Sequence, residues 1–287
     1  MNGIHFARVR WSAALRPAIL LVLLVSLSGC IELHTSVNVR KDGSGTIVQK
    51  MLFTGMLGSM LDAAKPDEGA AKGRSNPVDA MQDAASLKRT AAEFGPDVVV
   101  ESVRKIDTDR QKGVEIRMAF PDIDHVRIGQ SMTPDKFMKS DSLSFRRDSV
   151  DVVKKRPLYT FSMGRGPRSR LTIFKTEQVL SSQGQSLGSP GGTREDRKMA
   201  LEFMKPFMKG MKVVFEVNVE GQVVESNATY RRANRITLVD LDFDRMLAGH
   251  DAMMNLDGLS DVEAKRKFGK LSGMRIETRS PMTIDFR

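Results

Sequence analysis

A short acidic segment next to a histidine is the part of the sequence that most resembles a catalytic group. Asp122, Asp124 and His125 lie within four positions, and an imidazole beside carboxylates can act in general acid–base catalysis. A hydrolase that uses this cluster is therefore one function to consider, as the alternative to a non-catalytic role. The favoured interpretation is a turn capped by Asp122, because no Gly-x-Ser-x-Gly nucleophile elbow accompanies the cluster. We therefore predict no catalytic residues.

Three alternating aspartates, Asp240, Asp242 and Asp244, resemble the start of a calcium-binding loop. Arg245 stands where such a loop needs glycine, and no glutamate occupies the twelfth position. The alternation instead indicates a strand with Asp240 and Asp242 on its solvent face. One cysteine and four histidines leave few other metal ligands, so the sequence predicts no metal site.

The single cysteine, Cys30, ends the N-terminal segment of the chain. An apolar run at 18–27 follows three arginines and is followed by Ser28 and Gly29, as in a secretory signal. The run is too short for a permanent membrane span. The Leu-Ser-Gly-Cys sequence at 27–30 resembles the bacterial lipobox, which implies cleavage between Gly29 and Cys30. Residues 1–29 would then be the signal peptide and 30–287 the mature domain.

The lipobox resemblance implies a diacylglycerol and an N-acyl chain (such as palmitate) on Cys30, and we expect no other cofactor. Ile31, rather than aspartate, follows Cys30, which favours the periplasmic face of the outer membrane in a cell with two membranes. The alternatives are a secreted soluble protein and an uncleaved anchor.

Excess positive charge is the strongest compositional feature, with 45 Lys and Arg against 35 Asp and Glu. Much of it lies in segment 146–170, where the candidate contacts to an anionic ligand are Lys154, Lys155, Arg165, Arg168 and Arg170. In the cell envelope such charge suits anionic lipid headgroups or an acidic envelope polymer rather than nucleic acid. The sequence does not specify a protein partner. A solvated surface that binds no partner is an equal alternative to the binding of an anionic ligand.

Hairpin patterns dominate the mature chain. Apolar and polar residues alternate at 33–40, 114–120, 213–220 and 282–286, which predicts half-buried strands, and Lys41–Gly45 reads as a hairpin turn. Helices are predicted at 77–94, before Met211 and after Asp244, and flexible segments near 65–75 and 178–193. The fold class expected is α+β, with one domain built on a mostly antiparallel sheet.

Three motifs resemble those of the LppM-type domain group of bacterial lipoproteins. They are the Val-x-Val hairpin with Asp-Gly-Ser-Gly at 42–45, the Gly210-Met211 helix end, and the Gly-x-Val-Val-x-Ser-Asn-Ala hairpin at 221–228. The resemblance implies a non-enzymatic role in the envelope. We therefore predict a lipid-anchored lipoprotein that binds a lipid, an envelope polymer or a protein, with an envelope hydrolase as the alternative.

Overall fold

Two β-sheets carry the structure, a computed structural model that describes residues 30–55, 58, 77–109, 111–129, 158–176, 199, 202, 208–248 and 272–287. The larger sheet begins with the hairpin β1 (Cys30–Val39) and β2 (Gly45–Thr54), and continues through β4 (Gln111–Phe120) to β3 (Val99–Asp107) at its edge. On the other side of β1 follow β8 (Lys212–Val219), β11 (Arg235–Asp242) and β10 (Arg231–Arg232). A short strand, β12 (Met274–Ile276), also pairs with β11.

The smaller sheet has five strands, in the order β5 (Arg127–Ile128), β6 (Tyr159–Gly164), β7 (Ser169–Lys175), β13 (Met282–Phe286) and β9 (Val223–Ser226). All of its pairs are antiparallel, as are those of the larger sheet except β1 with β8. The predictions of a mostly antiparallel, hairpin-rich sheet and of a C-terminal strand are confirmed.

The two sheets pack face to face around one core. Strand alternation places one side of each strand inward, and the inward residues of both sheets belong to a single buried cluster. Tyr159 of the smaller sheet and Phe215 of the larger one meet across the interface, with ring centroids 5.4 Å apart. The hydrophobic effect on these inner faces is what holds the sheets together.

Helices form a small part of the described chain. They are α1 (Pro77–Ala80), α2 (Ala84–Phe94), a 3-10 turn at Ile123–His125, and α3 (Phe243–Ala248). The single helix predicted over 77–94 is therefore wrong. Asp83 interrupts it and starts α2 by accepting hydrogen bonds from the Ala85 and Ser86 backbone N–H groups. The expectation of α+β is met only coarsely, because the fold is mostly β-sheet.

One strand lies in a different sheet from the one that its turn suggests. The sequence predicts a hairpin that turns at Gly221-Gln222, but β9 leaves β8 and pairs with β13 in the second sheet. Both edges of β8 are already paired, with β1 and β11, whereas β13, whose Met282, Ile284 and Phe286 are wholly buried, has an edge that β7 leaves open. Their strand presents its free edge to β9, which crosses the end of the sandwich to meet it.

Several sequence-based predictions concern residues outside the described part of the chain. They are the signal segment 1–29, the flexible segments near 65–75 and 178–193, and most of the helix before Met211. Within the described residues, no helix combines the length and apolar character that a membrane crossing requires.

A buried carboxylate joins the two sheets at the β9 side. Glu277 is fully buried, and its carboxylate accepts hydrogen bonds from the backbone N–H groups of Thr229, Thr278 and Arg279 at 2.5, 3.0 and 3.1 Å. The Thr229 hydroxyl donates a further bond at 3.0 Å, and the Glu277 backbone bonds to Leu238 of β11. Glu277 thus fixes the segments that enter β10 and β13.

We expect Glu277→Gln to lower the free energy of unfolding by about 1–3 kcal/mol, because the amide group turns N–H donors towards buried backbone N–H donors. Chemical denaturation measures the change. Glu93→Gln, on the exposed face of α2, is the matched control and should have no effect. An equal stability of Glu277→Gln and the native protein would contradict the assigned role.

Candidate functional site

The same tripeptide, Val-Asn-Val, occurs in the two central strands of the larger sheet. Strands β1 and β8 are parallel, and their register aligns Val37 with Val217, Asn38 with Asn218, and Val39 with Val219. The valines point into the core and are nearly fully buried. The two asparagines therefore lie side by side on the outer face of the sheet, near the carboxyl ends of both strands.

Hydrogen bonds connect these amides into a network across three strands. The Asn218 side-chain N–H group donates to Ser36 Oγ at 2.8 Å and to Asn38 Oδ1 at 3.0 Å. The Asn38 amide in turn donates to the hydroxyl and the backbone oxygen of Thr46 on β2, at 3.3 and 3.4 Å. The network orients the two amides, and Thr46 beneath them is buried.

A cavity of about 440 Å³ opens at this end of the outer face. Seven of its lining residues have polar or charged side chains: the amides of Asn38, Asn218 and Asn234, the hydroxyl of Thr46, the guanidinium groups of Arg40 and Arg117, and the carboxylate of Glu220. Val39, Gly45 and Val219 complete the lining. The volume lies in the range of small-molecule sites. Gly45 is needed here because a Cβ would lie 2.0 Å from the Asn38 carbonyl oxygen.

Much of the hydrogen-bonding capacity that faces the cavity is unused by the described residues. Arg40 donates from Nη1 to Ser44 Oγ at 3.0 Å, and Arg117 donates from Nε to Glu101 at 3.1 Å. The remaining N–H groups of both guanidinium ions have no hydrogen bond among the residues that the structure describes. The arrangement offers cationic donors together with amide oxygens, which suits a polar ligand that carries acceptors and donors.

A charged group lies next to the cavity on the same face. Glu216 Oε1 is 3.3 Å from His34 Nε2, and its Oε2 is 3.4 Å from Arg235 Nε. Burial alone would raise the pKa of Glu216, but the His34 imidazole and the Arg235 guanidinium outweigh it and lower the pKa below the usual value. Arg235 pairs in register with Asn218, so this group borders the amide network.

The acid–histidine cluster is assembled differently from the sequence-based alternative. Asp122 caps the 3-10 turn by accepting the Asp124 N–H bond, as the favoured interpretation predicts, and pairs with Arg165 at 2.8 Å. The Asp124 N–H bond and Arg165 lower the pKa of Asp122. Asp124 accepts the Met163 N–H bond at 2.5 Å, and His125 turns instead to Asp97 at 2.9 Å, on the open surface.

The candidate anionic-ligand contacts fall into three groups. Lys154 and Lys155 lie outside the described residues. Arg165 and Arg170 are engaged: Arg165 bridges Asp122 and the Asp42 carbonyl oxygen, and Arg170 binds both carboxylate oxygens of Asp285 at 2.6 Å, which lowers the pKa of Asp285. Arg168 is exposed, forms no salt bridge among the described residues, and contributes with its charge to the lowered pKa of Asp285. Their binding to an anionic ligand stays a prediction.

The alternating aspartates have structural contacts. Asp240 lies 3.9 Å from Arg275 on the neighbouring strand, Asp242 accepts the Arg245 N–H bond that starts α3, and Asp244 accepts the Gly210 N–H bond. No group of three or more metal-ligating side chains occurs in the described ranges.

Sequence analysis missed the cavity residues, although the sequence carries a signal for them. The repeated Val-Asn-Val, with an uncharged polar residue between two buried valines, marks two strands that can pair in register. Arg117 reaches the cavity from β4 and Asn234 from the β10–β11 turn, and no local pattern connects them with the repeat.

We expect Arg165→Ala to destabilise the protein by up to about 1 kcal/mol at neutral pH, because it releases Asp122 and the Asp42 turn. Since the pKa of Asp122 is lowered in the folded state, this pair stabilises the protein above the unfolded pKa, about 3.9. The stabilisation by the Asp122–Arg165 pair is lost as the pH falls through the lower pKa that Asp122 has in the folded state. The stability difference should therefore shrink in acid, as measured by denaturation at several pH values.

Arg168→Ala is the control, because Arg168 lies in the same turn and forms no described salt bridge with Asp122, although its charge acts on Asp285. An equal loss of stability in both variants, or a difference that is independent of pH, would contradict the assigned role of the Asp122–Arg165 pair.

Comparison with known proteins adds little to these contacts. No family model and no curated protein matches the chain. The NMR structure of the folded domain of Mycobacterium tuberculosis LppM is similar at a TM-score of 0.27 and 11% identity, covering 90% of this chain and 89% of that one. An M1 zinc metallopeptidase from Deinococcus radiodurans matches at 0.16 and 9%, covering 75% and 39%. At these scores neither likeness carries a functional argument.

Proposed function

We propose that the protein is a non-catalytic lipoprotein of the cell envelope, anchored by lipid on Cys30, which presents a polar binding site away from its membrane. The observation that carries this proposal is the course of β1. Cys30 is the first residue of the strand, and Asn38 and Val39 at its other end line the cavity. A single strand therefore connects the anchor with the candidate site.

The length of β1 sets the distance between the two. Ten residues at about 3.3 Å per residue place the cavity end about 30 Å from Cys30. Cys30 pairs with Thr54, and Thr54 pairs with Gln111, so the β3–β4 turn lies at the anchor end of the sheet. The β1–β2 turn lies at the cavity end.

The cationic turn at 164–169 also belongs to the cavity end. Arg165 donates to the Asp42 carbonyl oxygen at 3.0 Å, and the Ser169 hydroxyl donates to the Lys41 carbonyl oxygen at 3.1 Å. Electrostatic attraction between exposed charges fades over a Debye length of about 8 Å at physiological salt. In this orientation Arg165 and Arg168 face the aqueous side of the envelope, which favours an envelope polymer or protein over the anchoring bilayer as their partner.

The contacts of the acid–histidine cluster favour the proposed non-catalytic function over the alternative of an envelope hydrolase. Asp122 and Asp124 are engaged by Arg165 and by backbone N–H groups, and His125 and Asp97 lie on the surface with side chains 59% and 49% exposed. A general base works in a site that orders the substrate and excludes water. Neither condition is met by the described residues around His125.

The anchor itself is tested by Cys30→Ser. We expect the native protein to partition into the detergent phase after Triton X-114 extraction, and the variant to remain unprocessed and unacylated, because the thiol is the acceptor of the lipid. Mass spectrometry of the N-terminal peptide measures the acyl chains. Ser28→Thr is the control that changes the neighbouring segment without removing the thiol. An unacylated residue 30 in the native protein, or the same processing and phase partitioning in the native protein and Cys30→Ser, would contradict the lipid anchor.

The orientation is tested with fluorophores at the two ends of the sheet. Asp109→Cys places a label on the exposed β3–β4 turn, and Lys41→Cys places one on the exposed β1–β2 turn. In vesicles that contain a lipid with a nitroxide headgroup, we expect strong quenching of the label at position 109 and little at position 41, since the second lies about 30 Å farther along the strand direction. Equal quenching, or the reverse order, would contradict the orientation.

A further inference from the structure

We propose that the 440 Å³ cavity binds an anionic, hydroxyl-rich ligand, namely a sugar unit that bears a carboxylate or a phosphate. This inference rests on the proposed function, because it assigns a ligand class to the site that faces away from the membrane. It is drawn from the hydrogen-bonding groups that line the cavity and from the way that the surrounding sheet fixes them.

The anionic part of the ligand is assigned from the two arginines. Arg40 lies at the end of β1, next to Asn38, and Arg117 lies on β4, and both residues are exposed and line the cavity. One N–H group of each guanidinium ion holds a protein oxygen, on Ser44 and Glu101. These bonds fix the planes of the guanidinium ions, and the remaining N–H groups fit the paired oxygens of a carboxylate or a phosphate.

The hydroxyl groups of the ligand are assigned from the amides. Asn218 uses its N–H group within the network, and Asn234 donates to the Val219 carbonyl oxygen at 3.0 Å. Both amide oxygens accept no hydrogen bond from the residues that the structure describes, and both residues line the cavity. An amide oxygen needs a donor, and a sugar hydroxyl can donate to it while accepting from a neighbouring N–H group.

The charge balance of the lining favours an anion but does not require a highly charged one. Glu220 is the one carboxylate among the described lining residues, against Arg40 and Arg117. At the border of the site, Arg232 pairs in register with Arg235, and Glu216 balances the charge of Arg235 at 3.4 Å. The described lining residues include no aromatic ring, so hydrogen bonds and charge supply the affinity that they contribute, and binding should weaken as salt is added.

The experiment is a calorimetric titration of the full-length protein in non-ionic detergent. The probes are galacturonate and glucose 6-phosphate, with galactose and glucose as their neutral counterparts. We expect an acidic probe to bind about tenfold more tightly than its neutral counterpart, the ratio that one charge-assisted hydrogen bond provides. Preference for the uronate identifies a carboxylate on the ligand, and preference for the sugar phosphate identifies a phosphate.

Variants locate the binding in the cavity. Arg40→Gln and Arg117→Gln should each weaken the binding of the acidic probe about tenfold. Arg104→Gln is the matched control: Arg104 is an exposed arginine of the same sheet, it pairs with Glu115 at 3.0 Å, and it is absent from the cavity lining. Affinity should be unchanged in this variant. Thermal unfolding of all three variants shows whether the fold is retained.

Equal affinity for acidic and neutral probes, no measurable binding of any probe at low salt, or equal weakening by Arg40→Gln and Arg104→Gln in folded proteins would overturn the ligand assignment. None of these results bears on Cys30 or on the quenching of the two labels. A protein that partitions into detergent with the expected orientation but binds no acidic sugar retains the proposed function and loses only this inference.

Discussion

The parallel pairing of β1 with β8 is the constraint on which the rest of the structure depends. Every other described strand pair is antiparallel, whereas this pair is parallel and connects segments about 180 residues apart in the chain, farther than β7 and β13, whose paired residues Arg170 and Asp285 are 115 residues apart. Burial of the valines fixes the register, because a shift by one residue would exchange the core face and the outer face. The same register brings Asn38 next to Asn218. The core and the candidate site thus depend on one alignment.

Polar contacts determine how the two sheets sit on each other at their ends. The inner faces supply a non-directional driving force, which by itself leaves the sheets free to shift. At the cavity end, Arg165 holds the Asp42 turn against the 3-10 turn, and Gly43 permits this approach because a Cβ there would lie 2.8 Å from the guanidinium group. On the β9 side, Glu277 performs a similar task with its buried carboxylate.

The parts of the fold that are encoded locally could be predicted from the sequence. Strands β1, β4, β8 and β13 follow from alternation, and the Asp42 turn from its aspartate and glycines. The parts that depend on distant partners could not be predicted. The membership of β9 in the second sheet is decided by β13, about 60 residues later. Arg165 resembles a free surface cation until the fold brings Asp122 to it. The residues that line the cavity come from four separate segments, and the repeated Val-Asn-Val is the one local pattern in the sequence that indicates it.

The absence of a spacer between Cys30 and β1 has a mechanical consequence. A pull on the first residue of this strand acts along the strand axis, and hydrogen bonds to β2 and β8 on both sides run across that axis. The hydrogen bonds between the strands are therefore loaded together in shear rather than opened one after another, and β2 and β8 share the load. A domain held in this way would resist extraction and transmit tension directly to the outer face where Asn38 lies.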